Sequence, residues 1–373
     1  MKKRIVFLDY LRLSACLMVM LVHACECFYF GDDGGLGIAS RSDAFWTTAI
    51  DSACRAAVPL FVIASAYLLL PLSKPTGEFF RRRFLRVAVP FAVWCCVYTL
   101  WNHGEWGRMA FNFPMATGGH LWFVPMLLGL YLFMPILSPW AERVSEKELR
   151  GWLILWLFTT LFPFIRWGWA CLYGNGWSHV FGEGNFDNIP FLWGECPWNS
   201  FGTFHYVSGF IGYLLLGLWF RKFAGEAQTG KTLTVALPSL ALGWAIVWAF
   251  FYARIPGETF PVTAPYAKVV DLEMSWEFCS TGVALTVIGY FALLRLCRGD
   301  GAFYQRLVKP LSEASYGAYL VHILVLIPIV NTLKPHLPTP LTIVASAAIC
   351  LVASMAISRG IQKIPRVGKY ICG

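Results

Sequence analysis

Two basic side chains lie in the first long apolar segment of the chain, where a charged group is costly. Arg12 and His23 occur there with ten residues between them. An arginine held at bilayer depth costs roughly 2.5–3.5 kcal/mol on insertion scales, so its position predicts a functional site. On an α-helix the two side chains fall within about 20° of one face, roughly 16 Å apart along the axis. Asp9 and Glu26 extend this stripe at spacings of three residues, which predicts a paired or water-accessible helix face.

A second basic cluster, Arg81–Arg86, precedes Pro90 at the start of another apolar segment. Arg83 and Arg86 share a helix face at a spacing of three residues, and Arg82 lies beside them. Guanidinium groups bind phosphate oxygens through paired hydrogen bonds, so these arginines suit a phosphorylated ligand. Anchoring at the cytoplasmic surface, or contact with anionic lipid, explains the same charges without any such ligand. Spacing alone leaves both interpretations open.

Two further histidines lie in or beside apolar segments. His120 precedes Trp122 at the start of one segment, where both residue types are ordinary at a membrane interface. His322 lies within a later segment, and a lone helix histidine is more often a packing residue than a catalyst. The alternative is that all three residues contact a substrate.

Arg55 is another cation within an apolar stretch. Asp51 lies four residues before it, a helical spacing that favours a structural ion pair. The Arg55 side chain could equally point into an outer vestibule shared with His23, where it would contact substrate. The sequence does not decide between these two interpretations.

The segment Gly225–Thr232 matches the phosphate-binding pattern G-x-x-x-x-G-K-[ST]. That pattern functions in an α/β domain, where a strand precedes the loop and a helix follows it. Here the segment joins two apolar spans, and no second acidic metal ligand accompanies it. We therefore expect a short cytoplasmic connection and not a nucleotide-hydrolysing loop.

The composition identifies the elements that must position these residues. Hydrophobic residues make up 57% of the 373 residues and charged residues 14%, and the mean hydropathy is +0.58, which excludes an ordinary soluble domain. Apolar runs long enough to cross a bilayer predict ten helices. The approximate spans are 5–25, 44–72, 84–101, 119–139, 151–170, 203–220, 233–253, 276–297, 314–333 and 339–358. We predict an all-α integral membrane protein of about ten transmembrane helices, with one domain over residues 1–373.

The distribution of positive charge predicts the orientation. The termini and the connections after the second, fourth, sixth and eighth helices hold 22 of the 30 Lys and Arg residues, and the opposite connections hold six. By the positive-inside rule both termini are cytoplasmic. The net charge of +9 then reflects topology, and no basic face with stacking aromatics predicts nucleic-acid binding.

The segment 166–202 is the sizeable connection on the predicted outer side. Its five tryptophans, with neighbouring carboxylates and amides, suit contact with a sugar, although interfacial anchoring explains tryptophan equally well. Cys171 and Cys196 lie in this segment and are the plausible disulfide partners. Most other cysteines lie within spans, and no C-x-x-C pattern indicates a metal site.

Several motifs occur together in a fixed order along the chain. They are Leu8–Arg12 followed by His23, Val58–Phe61 with Ser65–Leu69, Arg83-x-x-Arg86 before Pro90, His120–Phe123, and Ser315–His322. The set resembles the acyltransferase-3 family of bacterial membrane O-acyltransferases over essentially the whole chain. Ala66 stands where that family usually has glycine, which is a mild departure from the pattern.

The resemblance implies transfer of an acyl group, commonly acetyl, from cytoplasmic acetyl-CoA or another acyl-CoA. The acceptor it implies is a hydroxyl of a cell-envelope glycan, or of a related molecule, on the outer side of the bacterial inner membrane. The functionally important positions of the family correspond here to Arg12, His23, Arg83 and Arg86. We expect the arginine cluster, including Arg82, to hold the CoA phosphates.

A mechanism follows from the resemblance as a hypothesis. Neutral His23 removes the hydroxyl proton as the oxygen attacks the thioester, a general-base step worth roughly 10²–10⁴-fold. Glu26 or Asp9 orients or polarises its neighbour, and Arg12 either contacts a phosphate or steadies the developing oxyanion. A transporter or flippase, in which buried charges line a substrate pathway, is the rival function class. Turnover of acyl-CoA by the purified protein would separate the enzyme from the transporter.

Overall fold

The structure, a computed structural model, describes residues 4–31, 36–102, 106, 119–165, 201–255, 259–264 and 274–373. Helices dominate these ranges. In chain order they are α1 (Val6–Tyr29), α2 (Arg41–Cys54), α3 (Ala57–Leu69), α4 (Thr76–Arg83), α5 (Val89–Trp101), α6 (Phe123–Arg143), α7 (Glu146–Thr159), α8 (Ile211–Lys222), α9 (Thr229–Tyr252), α10 (Thr281–Leu294), α11 (Lys309–Leu333), α12 (Thr339–Gln362) and α13 (Gly368–Cys372).

The lengths of the helices agree with a protein that crosses a membrane many times. Within the described ranges, nine helical segments are long and apolar enough to cross a bilayer. The predicted span 276–297 corresponds to the shorter helix α10, which has 14 residues. Large apolar side chains face outward, including Ile136 at 73% and Val352 at 71% exposure, as expected for contact with lipid. The prediction of an all-α integral membrane protein is confirmed.

A proline explains why one predicted span is broken. The segment 44–72 forms two helices, α2 and α3, which are separated at Arg55 and Ala56. Pro59 has no N–H to donate, and its ring crowds the carbonyl of Arg55, so a continuous helix is unfavourable at this point. The break places the Arg55 side chain at a turn inside the bundle.

Two other prolines follow wider, π-helical turns. Phe84–Ala88 joins α4 to α5 and is followed by Pro90, and Tyr304–Val308 precedes α11 and is followed by Pro310. A proline removes one hydrogen bond of the helix ladder, and a π-helical turn accommodates that loss without ending the helix. The helical segment predicted over 84–101 therefore begins earlier, at Thr76.

One small strand pair departs from the all-helical expectation. β1 (Leu36–Ile38) and β2 (Val262–Ala264) are antiparallel, with Gly37 opposite Thr263. Leu36 and Ile38 are buried, and β1 packs against α1. Leu36 also bridges to Phe30, so the pair lies at the His23 end of α1.

Helix α1 lies inside the bundle. It contacts α2, α3, α11 and α12, and its Leu8, Leu11 and Met20 side chains are almost completely buried. Helices α11 and α12 approach closely at Gly317, where a β-carbon would collide with Ser358. The polar stripe of α1 consequently faces other helices and cavities.

Candidate active site

A cavity of about 660 Å³ lies at the end of the bundle where α1 begins. Its lining includes four arginines and one acid, namely Arg4, Arg12, Arg83, Arg86 and Glu313. The excess of guanidinium groups makes this basic cavity suitable for an anionic ligand. The structure thus brings Arg12 of α1 together with Arg83 and Arg86. The sequence indicates them as site residues in two separate segments.

Asp9 anchors the arginines of α1 at this cavity. Its carboxylate is completely buried and lies 2.6 Å from Nε of Arg4 and 3.2 Å from Nη1 of Arg12. It also accepts hydrogen bonds from Tyr304 at 2.6 Å and from Ser312 at 2.8 Å. A buried carboxylate needs such partners to offset its lost hydration. The hydrogen bond to Asp9 raises the pKa of Arg4, which lies just outside the membrane-spanning part of α1.

Arg82 lies apart from its neighbours in the arginine cluster. Its guanidinium is 2.7 Å from Glu78 and its side chain is 58% exposed, and it does not line the basic cavity. Successive helical residues point about 100° apart, which explains why Arg83 faces the cavity when Arg82 does not. The Cζ atom of Arg83 lies 5.8 Å from the centre of the Tyr131 ring. Of the predicted cluster, Arg83 and Arg86 therefore line the basic cavity, and Arg82 does not.

A second cavity, of about 740 Å³, surrounds the other end of α1. Its polar and aromatic lining includes His23, Glu26, Arg55, His120 and Trp122. These residues come from α1, from the turn between α2 and α3, and from the turn that precedes α6. We call it the histidine cavity, since it gathers site residues that the sequence places in three separate segments.

His23 and Glu26 form a hydrogen-bonded pair in the histidine cavity. Nδ1 of His23 lies 2.5 Å from Oε2 of Glu26. An ionised carboxylate can only accept a hydrogen bond, so Nδ1 of a neutral His23 is the protonated nitrogen and Nε2 keeps its lone pair. This is the arrangement of a general base oriented by a carboxylate.

Three histidine rings meet beside this pair. The ring centres of His322 and His23 are 5.2 Å apart, as are those of His322 and His120, and His23 and His120 are separated by 6.3 Å. His322 is completely buried, and its Nδ1 donates to the Tyr319 carbonyl at 2.5 Å. Nε2 of His120 and Nε2 of His322 have no hydrogen-bond partner within the described ranges. His120 lines the histidine cavity and His322 does not, so it is the Nε2 atom of His120 that can bond to a substrate there without losing a protein partner.

Arg55 combines the two arrangements that its sequence position allows. Its Nε lies 2.5 Å from Asp51, and its Nη2 donates to the Tyr29 hydroxyl at 2.9 Å. The same Nη2 is 3.8 Å from Glu26, and the guanidinium lies 3.4 Å from the centre of the Trp276 ring. Arg55 is thus both ion-paired and part of the histidine cavity. It links the His23–Glu26 pair to the buried carboxylate of Asp51.

Three aromatic residues separate the two cavities. Phe61, Phe123 and Tyr319 line both of them. The Phe123 ring centre is 5.8 Å from that of Phe61 and 5.7 Å from that of Tyr319. The Tyr319 hydroxyl donates to the His120 carbonyl at 2.6 Å. We call this group the aromatic wall. Its members lie in three of the quoted motifs, but their joint role was not predicted, because the motifs do not show which aromatic residues meet in the fold.

Other predicted features lie elsewhere or outside the described residues. Cys171, Cys196 and nearly all of segment 166–202 are outside the described ranges. Gly225–Thr232 begins in the turn after α8 and runs into α9, so a helix precedes it where the nucleotide-binding pattern requires a strand. Within the described residues, no group of three His, Cys, Asp or Glu is arranged to hold a metal ion.

Comparison with known proteins gives one match. No curated protein and no solved structure matches the chain. The model of the acyltransferase-3 family, described as an acyltransferase domain, matches residues 5–359. The resemblance indicated by the motifs is therefore confirmed over nearly the whole sequence. This multi-pass membrane protein belongs to the acyltransferase-3 family, and it is a membrane acyltransferase.

Proposed function

We propose that the protein is an O-acetyltransferase of the bacterial inner membrane with both termini in the cytoplasm. It takes the acetyl group of cytoplasmic acetyl-CoA and transfers it to a hydroxyl of a cell-envelope glycan on the outer side. The observation that carries this proposal is the contact between two chemically different cavities. One cavity holds arginines and the other holds a histidine–carboxylate pair, and the aromatic wall is common to both.

The basic cavity is the proposed donor site. Its volume of about 660 Å³ lies within the usual range of small-molecule sites. Arg83 and Arg86 bind the CoA phosphates, because guanidinium groups form charge-assisted, often paired bonds to phosphate oxygens. Arg12 lies deeper along α1 and contacts the donor between its phosphates and its thioester. This role for Arg12 is supported by its place in the basic cavity and not in the histidine cavity.

The histidine cavity is the proposed acceptor site. Trp122 and Trp276 line it, and indole rings stack well on sugar rings. Arg55 lines the cavity while Asp51 holds it, and we place its guanidinium against a sugar hydroxyl. His120 offers its Nε2 atom to the acceptor or to the reacting carbonyl, and His322, which does not line the cavity, packs against the rings of His23 and His120.

The reaction requires the thioester to reach the aromatic wall from the donor side. Nε2 of His23 accepts the proton of the acceptor hydroxyl while the hydroxyl oxygen forms a bond to the thioester carbon. The carbon–sulfur bond then breaks, the acetyl group stays on the acceptor, and CoA leaves with its sulfur protonated. Glu26 stabilises the imidazolium that forms in this step, because its carboxylate already bonds to Nδ1.

The test compares envelope glycans from cells with and without this chain by mass spectrometry. The expected difference is a gain of one acetyl mass per modified sugar, and the purified protein should consume acetyl-CoA when that glycan is present. Unchanged glycans without acetyl-CoA turnover would contradict the proposal. A change in glycan location without turnover would instead support a transporter.

A further inference from the structure

A third cavity, of about 790 Å³, lies between α7, α8, α9 and α10. It has no lining residue in common with the basic cavity or the histidine cavity. Part of its wall is the segment from Gly225 to Thr232, which the proposed reaction does not use. It lies at the same end of the bundle as the basic cavity, because Arg221 at the end of α8 donates to the Tyr67 carbonyl beside Leu68.

The polar rim of this cavity is positively charged. Arg150, Lys231 and Arg295 line it, and Glu226 is the acid among its lining residues. Two of these charges have partners outside the lining: Arg150 is 2.6 Å from Glu146, and Glu226 is 3.3 Å from Arg298. With both partners counted, the rim keeps an excess of positive charge. Lys231 has no ion-pair partner in the part of the chain that the structure describes. The rim therefore attracts an anion.

The rest of the cavity is apolar and reaches the lipid-facing surface. Leu153 and Ile288 contribute to its walls, and Ile154 and Val235, which are 68% and 55% exposed, lie at its edge. Trp219 also lines the cavity, and its buried indole N–H has no acceptor among the described residues. A ligand with an oxygen-rich head and apolar chains would satisfy both the cations and this donor.

We propose that this cavity binds one anionic phospholipid from the leaflet that faces the donor site. The lipid phosphate contacts the side chains of Arg150 and Lys231 and the guanidinium of Arg295. The acyl chains lie along the apolar walls between the helices. Basic pockets between transmembrane helices recognise such headgroups by the same combination of charge and apolar surface. The lysine of the G-x-x-x-x-G-K-[ST] match then contacts a lipid phosphate and not a nucleotide.

The test is phosphatidylglycerol binding to the full-length protein, measured by native mass spectrometry and by thermal stabilisation in detergent. The variant Arg150→Gln/Lys231→Gln removes two rim charges but touches no residue of the proposed donor or acceptor sites. The control Lys147→Gln/Lys363→Gln removes two exposed charges that line none of the three cavities. We expect the rim variant to bind phosphatidylglycerol about tenfold more weakly or worse, the equilibrium effect of one lost charge-assisted bond. The control should bind like the wild type.

Four further measurements make the outcome decisive. Acetyl-CoA binding by the rim variant should be unchanged, which shows that it is folded and separates this site from the proposed donor site. Phosphatidylcholine should stabilise the wild type less than phosphatidylglycerol does, and glycerol 3-phosphate should not compete, because it lacks acyl chains. Equal phosphatidylglycerol affinity in the rim variant, or displacement of the lipid by ATP, would overturn the proposal.

Discussion

Arginine side chains have different surroundings at different positions of this protein, and their expected roles follow from those surroundings. Arg55 is held by a buried carboxylate, and Arg82 by an exposed one. Arg83 and Arg86 line the basic cavity without such an intramolecular pair in the described ranges. Only the last two are therefore available for the phosphates of a donor.

This difference gives a prediction with a matched control. Arg83→Gln/Arg86→Gln should weaken acetyl-CoA binding by about 1.5–3 kcal/mol per residue, since each substitution removes charge-assisted bonds to phosphate. Arg82 lies in the same cluster but outside the cavity, so the affinity of Arg82→Gln for acetyl-CoA should match that of the wild type. Binding is measured by titration of the purified proteins at matched concentration. Equal acetyl-CoA affinity in the wild type, the double variant and Arg82→Gln would contradict this prediction. It would favour contact of Arg83 and Arg86 with anionic lipid.

Local spacing predicts some site contacts and not others. The His23–Glu26 pair and the Arg55–Asp51 pair lie three and four residues apart on helices, and both form. The meeting of His23 with His120 and His322 depends on the packing of α1 against α11 and on the turn before α6. No periodicity in one sequence encodes such tertiary contacts, and for that reason the sequence alone favours a packing role for His322 over contact with substrate.

At the scale of secondary structure, α1 carries groups for both cavities, and Asp9 holds it against its neighbours. The carboxylate joins α1 to Tyr304 and to Ser312 at the start of α11. Asp9 also pairs with Arg4 and Arg12, and Arg4 in turn pairs with the exposed Glu313. Two acids thus share one arginine, but only Asp9 is buried.

Substitution of these two acids should have unequal effects on stability. Asp9→Asn should lower the free energy of unfolding by about 3 kcal/mol, the lower end of the cost of breaking a buried charge pair, since Arg4 is partly exposed. Glu313→Gln should change it by less than about 1 kcal/mol, because both partners in that pair are accessible to solvent. Thermal unfolding in detergent compares the two variants. An unfolding temperature for Asp9→Asn at or above that of Glu313→Gln would exclude the anchoring role.

The π-helical turn Phe84–Ala88 supports a second prediction at this scale. Pro90→Ala restores a backbone donor, so a regular helix becomes possible and would rotate Arg86 away from the basic cavity. We expect acetyl-CoA affinity to fall about tenfold although every arginine is retained, the equivalent of one lost charge-assisted bond. Pro238→Ala, inside α9 and away from all three cavities, is the control. Wild-type affinity in Pro90→Ala would show that the turn does not position Arg86.

Prolines also show how much of the fold can be predicted from the sequence. The long apolar runs predict the helices because a bilayer demands internally bonded backbone. Pro59 marks the break between α2 and α3, but the run of apolar residues around it conceals that break. Phe61, Phe123 and Tyr319 of the aromatic wall each lie in a motif of the family set, but the sequence does not show that they meet, since this depends on which helices pack together.

For the whole molecule, the proposed direction of transfer depends on topology. Single cysteines at Lys231 and Arg306 should resist an impermeant thiol reagent applied to intact spheroplasts, and one at Leu337 should react with it. These positions lie in or beside connections at opposite predicted faces, in a background without the native cysteines. Reaction of the Lys231 position from outside would reverse the orientation and the direction of acetyl transfer with it.

In the proposed reaction His23 performs the chemistry from the histidine cavity, across the aromatic wall from the donor site. The most direct measurement is the rate of acetyl transfer by purified His23→Ala, alongside its affinity for acetyl-CoA. We predict that transfer falls by a factor of at least about 10², the loss expected for a general base, and that acetyl-CoA affinity is nearly unchanged because the donor phosphates bind at the other end of α1. His322→Ala should lose less activity at matched protein levels. Near wild-type transfer by His23→Ala would contradict the claim and leave His322 or Glu26 as the candidate base.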